Sequence, residues 1–209
     1  MRTLFILATF LFSVSGISQT KYEQGMQKAF DLWKNEKPME AANLFERIAQ
    51  AETDNWLPLY YVAKINIIYS FGEKDATKFS AQLEKARDFI NDATAISKDN
   101  PEILILDALW YTAWIAYDGQ KYGMTYSGKV TSLYEKAIQL APKNPRVVLG
   151  KAEWEMEAAQ YFGKPITPYC KDVARALSLF ATFKPESDFH PNDGEGRAKE
   201  LLNNSCRKK

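Results

Sequence analysis

The sequence holds one histidine and two cysteines among its 209 residues. Metal sites and nucleophile–base pairs draw on these two residue types, so the scarcity removes most of them at once. The single His190 stands in a proline-rich stretch, Phe189-His190-Pro191-Asn192-Asp193-Gly194, and reads as a solvated turn residue rather than a base. No G-x-x-x-x-G-K-[ST], no G-x-S-x-G and no H-E-x-x-H occurs, and no calcium-loop spacing appears. Glu153 and Glu157 share a helix face at i, i+4, but no histidine, cysteine or further acid joins them, so they read as solvated. The expectation is a non-enzyme with no catalytic residue, no metal site and no cofactor.

Charge of one sign is also missing. Lys and Arg number 27 against 26 Asp and Glu, a net charge of +1, which leaves no basic field for nucleic acid. Glycine (10) and proline (9) are scarce. Six valines stand against 24 alanines. Alanine is the best helix former and valine favours strands, so the chain leans all-helical.

Residues 1–18, MRTLFILATFLFSVSGIS, read as a signal peptide. Arg2 supplies the positive start. Leu4 to Val14 is apolar except for Thr9 and Ser13, and Ser15, Gly16 and Ser18 are small enough for a peptidase site. Eleven residues at about 1.5 Å each cannot cross a bilayer core of roughly 30 Å. Nothing later approaches 18 uninterrupted apolar residues, so no transmembrane segment is expected in the mature chain. The expected location is periplasmic or secreted after cleavage. Cys170 and Cys206 would then meet an oxidising compartment, where a pair can form a disulfide. The alternative is two unpaired thiols, one buried and one in the tail.

The chain repeats with a period of 44 residues. Asn100-Pro101 recurs as Asn144-Pro145. Ala93, Ala137 and Ala181 are spaced by 44, as are Ala86, Val130 and Ala174, and Ile90, Tyr134 and Ser178. An earlier copy places Ala41, Phe45 and Ile48 45 residues before Ala86, Ile90 and Ala93. Small or apolar residues at i, i+4 and i+7 make one helix face. Ahead of each such helix lies another, with a small residue between apolar neighbours at −4 and +3: Gly25-Ala29-Leu32, Leu59-Ala63-Asn66, Leu104-Ala108-Tyr111 and Val148-Ala152-Glu155. Asn66 and Glu155 break the pattern.

From about residue 20 to 185 this resembles the tetratricopeptide repeat, a helix-turn-helix unit of about 34 residues. Tyr134-Glu135-Lys136-Ala137-Ile138 through Pro142 is a close match to its second helix. The departure is length. The small residues of the two helices lie 12 apart in the first copy but 23, 22 and 22 apart in the next three, so about 10 extra residues are expected at those turns. The expanded pattern is similar to exported repeat proteins of Bacteroidetes-type bacteria, which also end in a proline-rich turn and a short helix closing on cysteine. The resemblance implies an all-α, right-handed solenoid of four helix pairs plus a C-terminal capping helix. The repeat domain spans 19–185, and the turn and capping helix 186–209. Helices are expected at about 20–35, 38–52, 56–70, 75–97, 102–117, 127–141, 146–162, 169–183 and 193–206. If the last packs antiparallel to its predecessor, Cys170 and Cys206 come together.

The resemblance also implies a binding groove lined by first-helix positions: Met26, Phe30, Trp33, Tyr60, Lys64, Ile67, Ile105, Leu109, Thr112, Leu149, Glu153 and Met156. These are mostly apolar, and only Lys64 is basic, so the family's clamp for a peptide carboxylate is not expected. An amphipathic helix, an extended apolar peptide or a segment of this same chain would suit such a groove. Two functions follow. The first is an exported, non-catalytic scaffold that binds a protein or peptide partner in the cell envelope. The alternative is a carbohydrate- or small-ligand-binding envelope protein that uses exposed aromatics, marked by two or more exposed coplanar rings in one cleft.

Overall fold

The computed structural model describes residues 20–207, so the expected signal peptide lies outside the described residues. Among the described residues there are nine α-helices and no strand. They are α1 (Lys21–Lys34), α2 (Pro38–Ala51), α3 (Trp56–Ser70), α4 (Ala76–Ile96), α5 (Pro101–Tyr117), α6 (Gly119–Leu140), α7 (Pro145–Tyr161), α8 (Thr167–Phe180) and α9 (Glu195–Asn204).

Local chemistry sets most of these boundaries. Thr20 and Glu23 form a reciprocal capping box at the start of α1. Asn100 and Asn144 cap α5 and α7 through their side-chain oxygens, each followed by a proline whose missing N–H costs nothing at the first helical position. Consecutive helices pack in chain order, and α3, α5 and α7 also touch directly. α3 and α5 are apolar nearly all round because neighbours cover them on several sides. The small residues Ala29, Ala63, Ala108 and Ala152 are at most 1% exposed.

Three expectations are corrected. α6 begins at Gly119, not near 127, so its extra residues extend a helix instead of forming a loop. Tyr122 and Tyr126, at i and i+4, face α5 with their rings 4.9 Å from Trp114 and 5.0 Å from Tyr111. Those contacts outweigh the unfavourable Gly119, Gly123 and Gly128. In α8 the buried residues are Val173 and Ala176, while Ala174, Ser178 and Ala181 are exposed. The last copy is rotated so that Val173, Ala176, Leu177 and Phe180 pack in a cluster with Ala198 and Leu201 of α9. Finally, α9 starts at Glu195 rather than near 193, with Gly194 before it and no side-chain cap. The Asp193 side chain next to it bonds elsewhere. Cys170 and Cys206 are joined by a disulfide with Cα atoms 5.8 Å apart, fixing the end of α9 beside the start of α8.

Candidate functional site

α3, α5 and α7 wall a cleft of about 250 Å³ that Asp193, Gly194 and Arg197 also line. Its apolar surface comes from Ile68, Ile105, Leu106, Leu109 and Leu149, and its polar rim from Lys64, Glu153, Asp193 and Arg197. Six of the expected groove residues meet here: Tyr60, Lys64, Ile105, Leu109, Leu149 and Glu153. The other six do not. Ile67 and Met156 are buried at 0% and 3% exposure, and the half-buried Thr112 turns its hydroxyl back to the Ala108 carbonyl at 2.9 Å. Met26, Phe30 and Trp33 belong to the core cluster against which the chain's own Phe189 packs.

Phe189 lies in the segment between α8 and α9. Its ring stacks on Phe30 and meets Tyr22 edge-on with centroids 5.6 Å apart, and its carbonyl accepts the Tyr61 hydroxyl at 2.7 Å. His190 is not solvated as expected. Its ring sits edge-on to Trp56 at 5.5 Å, its Nδ1 bonds Ser187 Oγ at 2.9 Å, and Glu186 reaches Nε2 at 3.1 Å. Gly194 then turns the chain with φ +121°, and a Cβ there would come within 2.9 Å of Phe180 Cζ. That turn delivers Asp193 to the cleft.

A buried ionic network holds this end together. Arg146 donates from Nε to Glu102 at 2.8 Å, from Nη2 to the Tyr60 hydroxyl at 2.9 Å, and from Nη1 to the Asp193 carbonyl at 2.8 Å and to its carboxylate. Lys64 donates to the same carboxylate at 2.8 Å, and Asn144 donates to the other Glu102 oxygen at 2.7 Å. Each buried charge therefore meets an opposite charge and a hydrogen bond. Partial desolvation pushes the Asp193 carboxyl up, but Arg146 and Lys64 outweigh it and hold it at about 2. Burial and the neighbouring Arg146 lower Lys64. Burial raises the phenols of Tyr60 and Tyr134 well above their ordinary range, so both stay neutral. At the open side Arg197 bonds Glu153 at 2.7 Å and Glu200 at 3.1 Å. Burial, then Glu153, raises Glu157.

Sequence reasoning missed Arg146, Glu102 and Asp193. One signal was present: Glu102 and Arg146 hold the same place in successive copies, 44 residues apart, with opposite charge. Phe189 left no such trace. The five tryptophans are all half-buried, so no pair of exposed coplanar indoles marks a sugar cleft. The nearest approach is Tyr122 on Tyr126, half-buried and stacked at 5.5 Å with 8° between planes. No cluster of three or more His, Cys, Asp or Glu that could hold a metal occurs among the described residues. No described helix is long and apolar enough to cross a membrane.

No protein-family model and no curated protein matches the chain. A solved structure does: the HusA haemophore from Porphyromonas gingivalis, with a TM-score of 0.74, 24% identity, and coverage of 88% of this chain and 92% of that one. At this identity the likeness shows the fold. It is an all-helical fold shared with a haemophore, and one end of the expected groove is filled by the chain's own Phe189. The expectation of a scaffold for a protein partner is therefore corrected.

Proposed function

We propose that the protein binds a planar, apolar small ligand bearing carboxylates, of the porphyrin class, in the cleft between α3, α5 and α7. The observation that carries this is the pairing of an apolar wall, Ile105, Leu109 and Leu149, with the exposed Arg197 at its open side. A flat macrocycle would lie on the wall and turn a carboxylate toward Arg197, in competition with Glu153 and Glu200. The shared fold with a haemophore supports the same class. The cleft offers poor iron ligands. Tyr60 and Tyr134 are held neutral, His190 is engaged against Trp56, and both cysteines are in the disulfide. Binding therefore rests on ring contact and charge, and a metal-free porphyrin binds as well as haem.

The helix pairs are expanded tetratricopeptide-like units in a right-handed stack, supported by the buried alanines at equivalent places in all four first helices. Export through residues 1–18 is supported by the disulfide, which suits an oxidising compartment. The protein is a non-enzymatic carrier.

The test is titration of the protein lacking residues 1–18 with haemin and with metal-free protoporphyrin, read by absorbance and tryptophan quenching. Comparable affinities for both are expected, with about a tenfold loss in Leu109→Asp and in Arg197→Glu, each measured on protein that circular dichroism shows to be folded at the titration temperature. Absence of binding, or binding indifferent to both substitutions, refutes the reading.

A further inference from the structure

Lys64 on α3 and Arg146 on α7 line the cleft with side chains only 10% and 9% exposed. Two cations so deeply buried need two anions. Glu102 is one. Its side chain is 8% exposed and is held on both oxygens, by Arg146 Nε at 2.8 Å and by Asn144 at 2.7 Å. Asp193 is the other, and it is held differently. Its side chain is 61% exposed, it comes from the segment between α8 and α9 rather than from a helix, and both cations converge on one oxygen, Oδ1. Lys64, Arg146 and Glu102 alone would leave one positive charge buried at the cleft. Glu153 and Arg197, which also line it, pair with each other at 2.7 Å, so Asp193 alone answers that surplus.

The Asp193 carboxylate can leave without moving the main chain. Arg146 Nη1 also holds the Asp193 carbonyl at 2.8 Å, and Phe189 and His190 anchor the residues before it. The side chain then turns about its own bonds from one exposed position to another. A second resting place lies beside it. α9 begins two residues later with no side-chain cap, so its first amides carry unanswered partial positive charge. Departure leaves the charge and N–H donors of Lys64 and Arg146 unmatched, and another anion is needed to restore the balance.

We propose that Lys64 and Arg146 form a carboxylate site, that Asp193 occupies it while the cleft is empty, and that a carboxylate of the bound ligand takes its place. The identity of the ligand rests on the porphyrin reading above; the site itself does not. An incoming carboxylate reproduces the charge and the converging N–H donation that Asp193 receives, so the exchange leaves the network neutral. The apolar wall favours it. Ile105, Leu106 and Leu149 line the same cleft, so a ligand seated on them brings its carboxylate to the site at high local concentration. A ring without a carboxylate leaves Asp193 in place and gains the wall alone. Asp193 thereby makes the cleft select for acids.

Two measurements test this at pH 6, on the protein lacking residues 1–18 and on its Asp193→Ala variant. The first is the melting temperature in sodium acetate, with acetamide as the neutral control and ionic strength held constant. Acetate is expected to raise the variant by about 4 °C at about ten times its dissociation constant and to leave the parent unmoved, with no effect of acetamide. The second is titration with metal-free protoporphyrin and with its dimethyl ester. The ratio of the two affinities is expected to rise about tenfold in the variant, through tighter binding of protoporphyrin alone. Asp193→Asn, which keeps the size of the side chain, should shift the ratio in the same direction and serves if Asp193→Ala does not fold. A variant blind to acetate overturns the site, and equal ratios in parent and variant overturn the exchange. If neither protein binds either porphyrin, the reading of the cleft has failed, and the acetate response alone decides the site.

Discussion

The rings of Phe189 and Phe30 lie parallel, 6.1 Å between centroids and 6° between planes, although 159 residues separate them in the chain. Phe30 stands on α1 and Phe189 in the segment after α8, so the last part of the chain seals the first helix pair.

Truncating Phe189 to Ala removes this stack and the edge contact with Tyr22. Phe189 is half-buried, so a loss of about 2 kcal/mol is expected. Urea denaturation measures it, and an unchanged midpoint would mean that the segment adds no stability.

Asp193 has a pH signature. Its carboxyl is held at about 2, below the value of 3.8 for a free aspartate, so its contribution is fully present above the free value and is lost as pH falls toward 2. The side chain is 61% exposed, so water screens much of this, leaving about 1 kcal/mol. Stability of Asp193→Asn and the parent protein, compared from pH 6 to pH 2, should differ at the upper end and converge at the lower. A constant difference would reject the ionic origin.

Reducing the disulfide, or replacing Cys170 and Cys206 by Ser, reopens a loop of 36 residues. The expected cost is about 3 kcal/mol, mainly through the unfolded chain. Thiol titration of the unfolded, unreduced protein should find no free cysteine, and two reactive thiols would disprove the link.

Ala137 is fully buried beside Val130, Tyr134 and Val147. Ala137→Asp sets an unpaired charge in a close helix contact and should cost about 4 kcal/mol, while Ala137→Ser should cost much less. Thermal unfolding of both variants compares them, and equal melting temperatures would contradict the packing of α6.

Much of the fold could be read from short-range chemistry. The Asn100-Pro101 and Asn144-Pro145 pairs mark helix starts because a cap and a first-position proline act within three residues. Buried Ala86, Ile90 and Ala93 follow from helical spacing alone. The rotation of α8 could not be read that way, since Val173 and Ala176 are chosen by α9 and the disulfide rather than by the period. The cleft was half legible for the same reason. Tyr60, Lys64, Ile105, Leu109, Leu149 and Glu153 sit on faces that the repeat predicts, whereas Asp193 arrives from a segment with no periodic pattern. His190 looked solvated because its partner Trp56 is 134 residues away.

The segment from Phe189 to Asp193 also changes how the molecule should come apart. In a linear array each unit leans only on its neighbours, so terminal units melt first and the middle survives. Here the residues beyond the fourth pair hold Phe30 of the first pair, Lys64 of the second and Arg146 of the fourth. Neither end is free to fray by itself, and opening one requires releasing the other. The chain should therefore unfold in a single cooperative step, behaving as a closed loop of helices rather than as an open row.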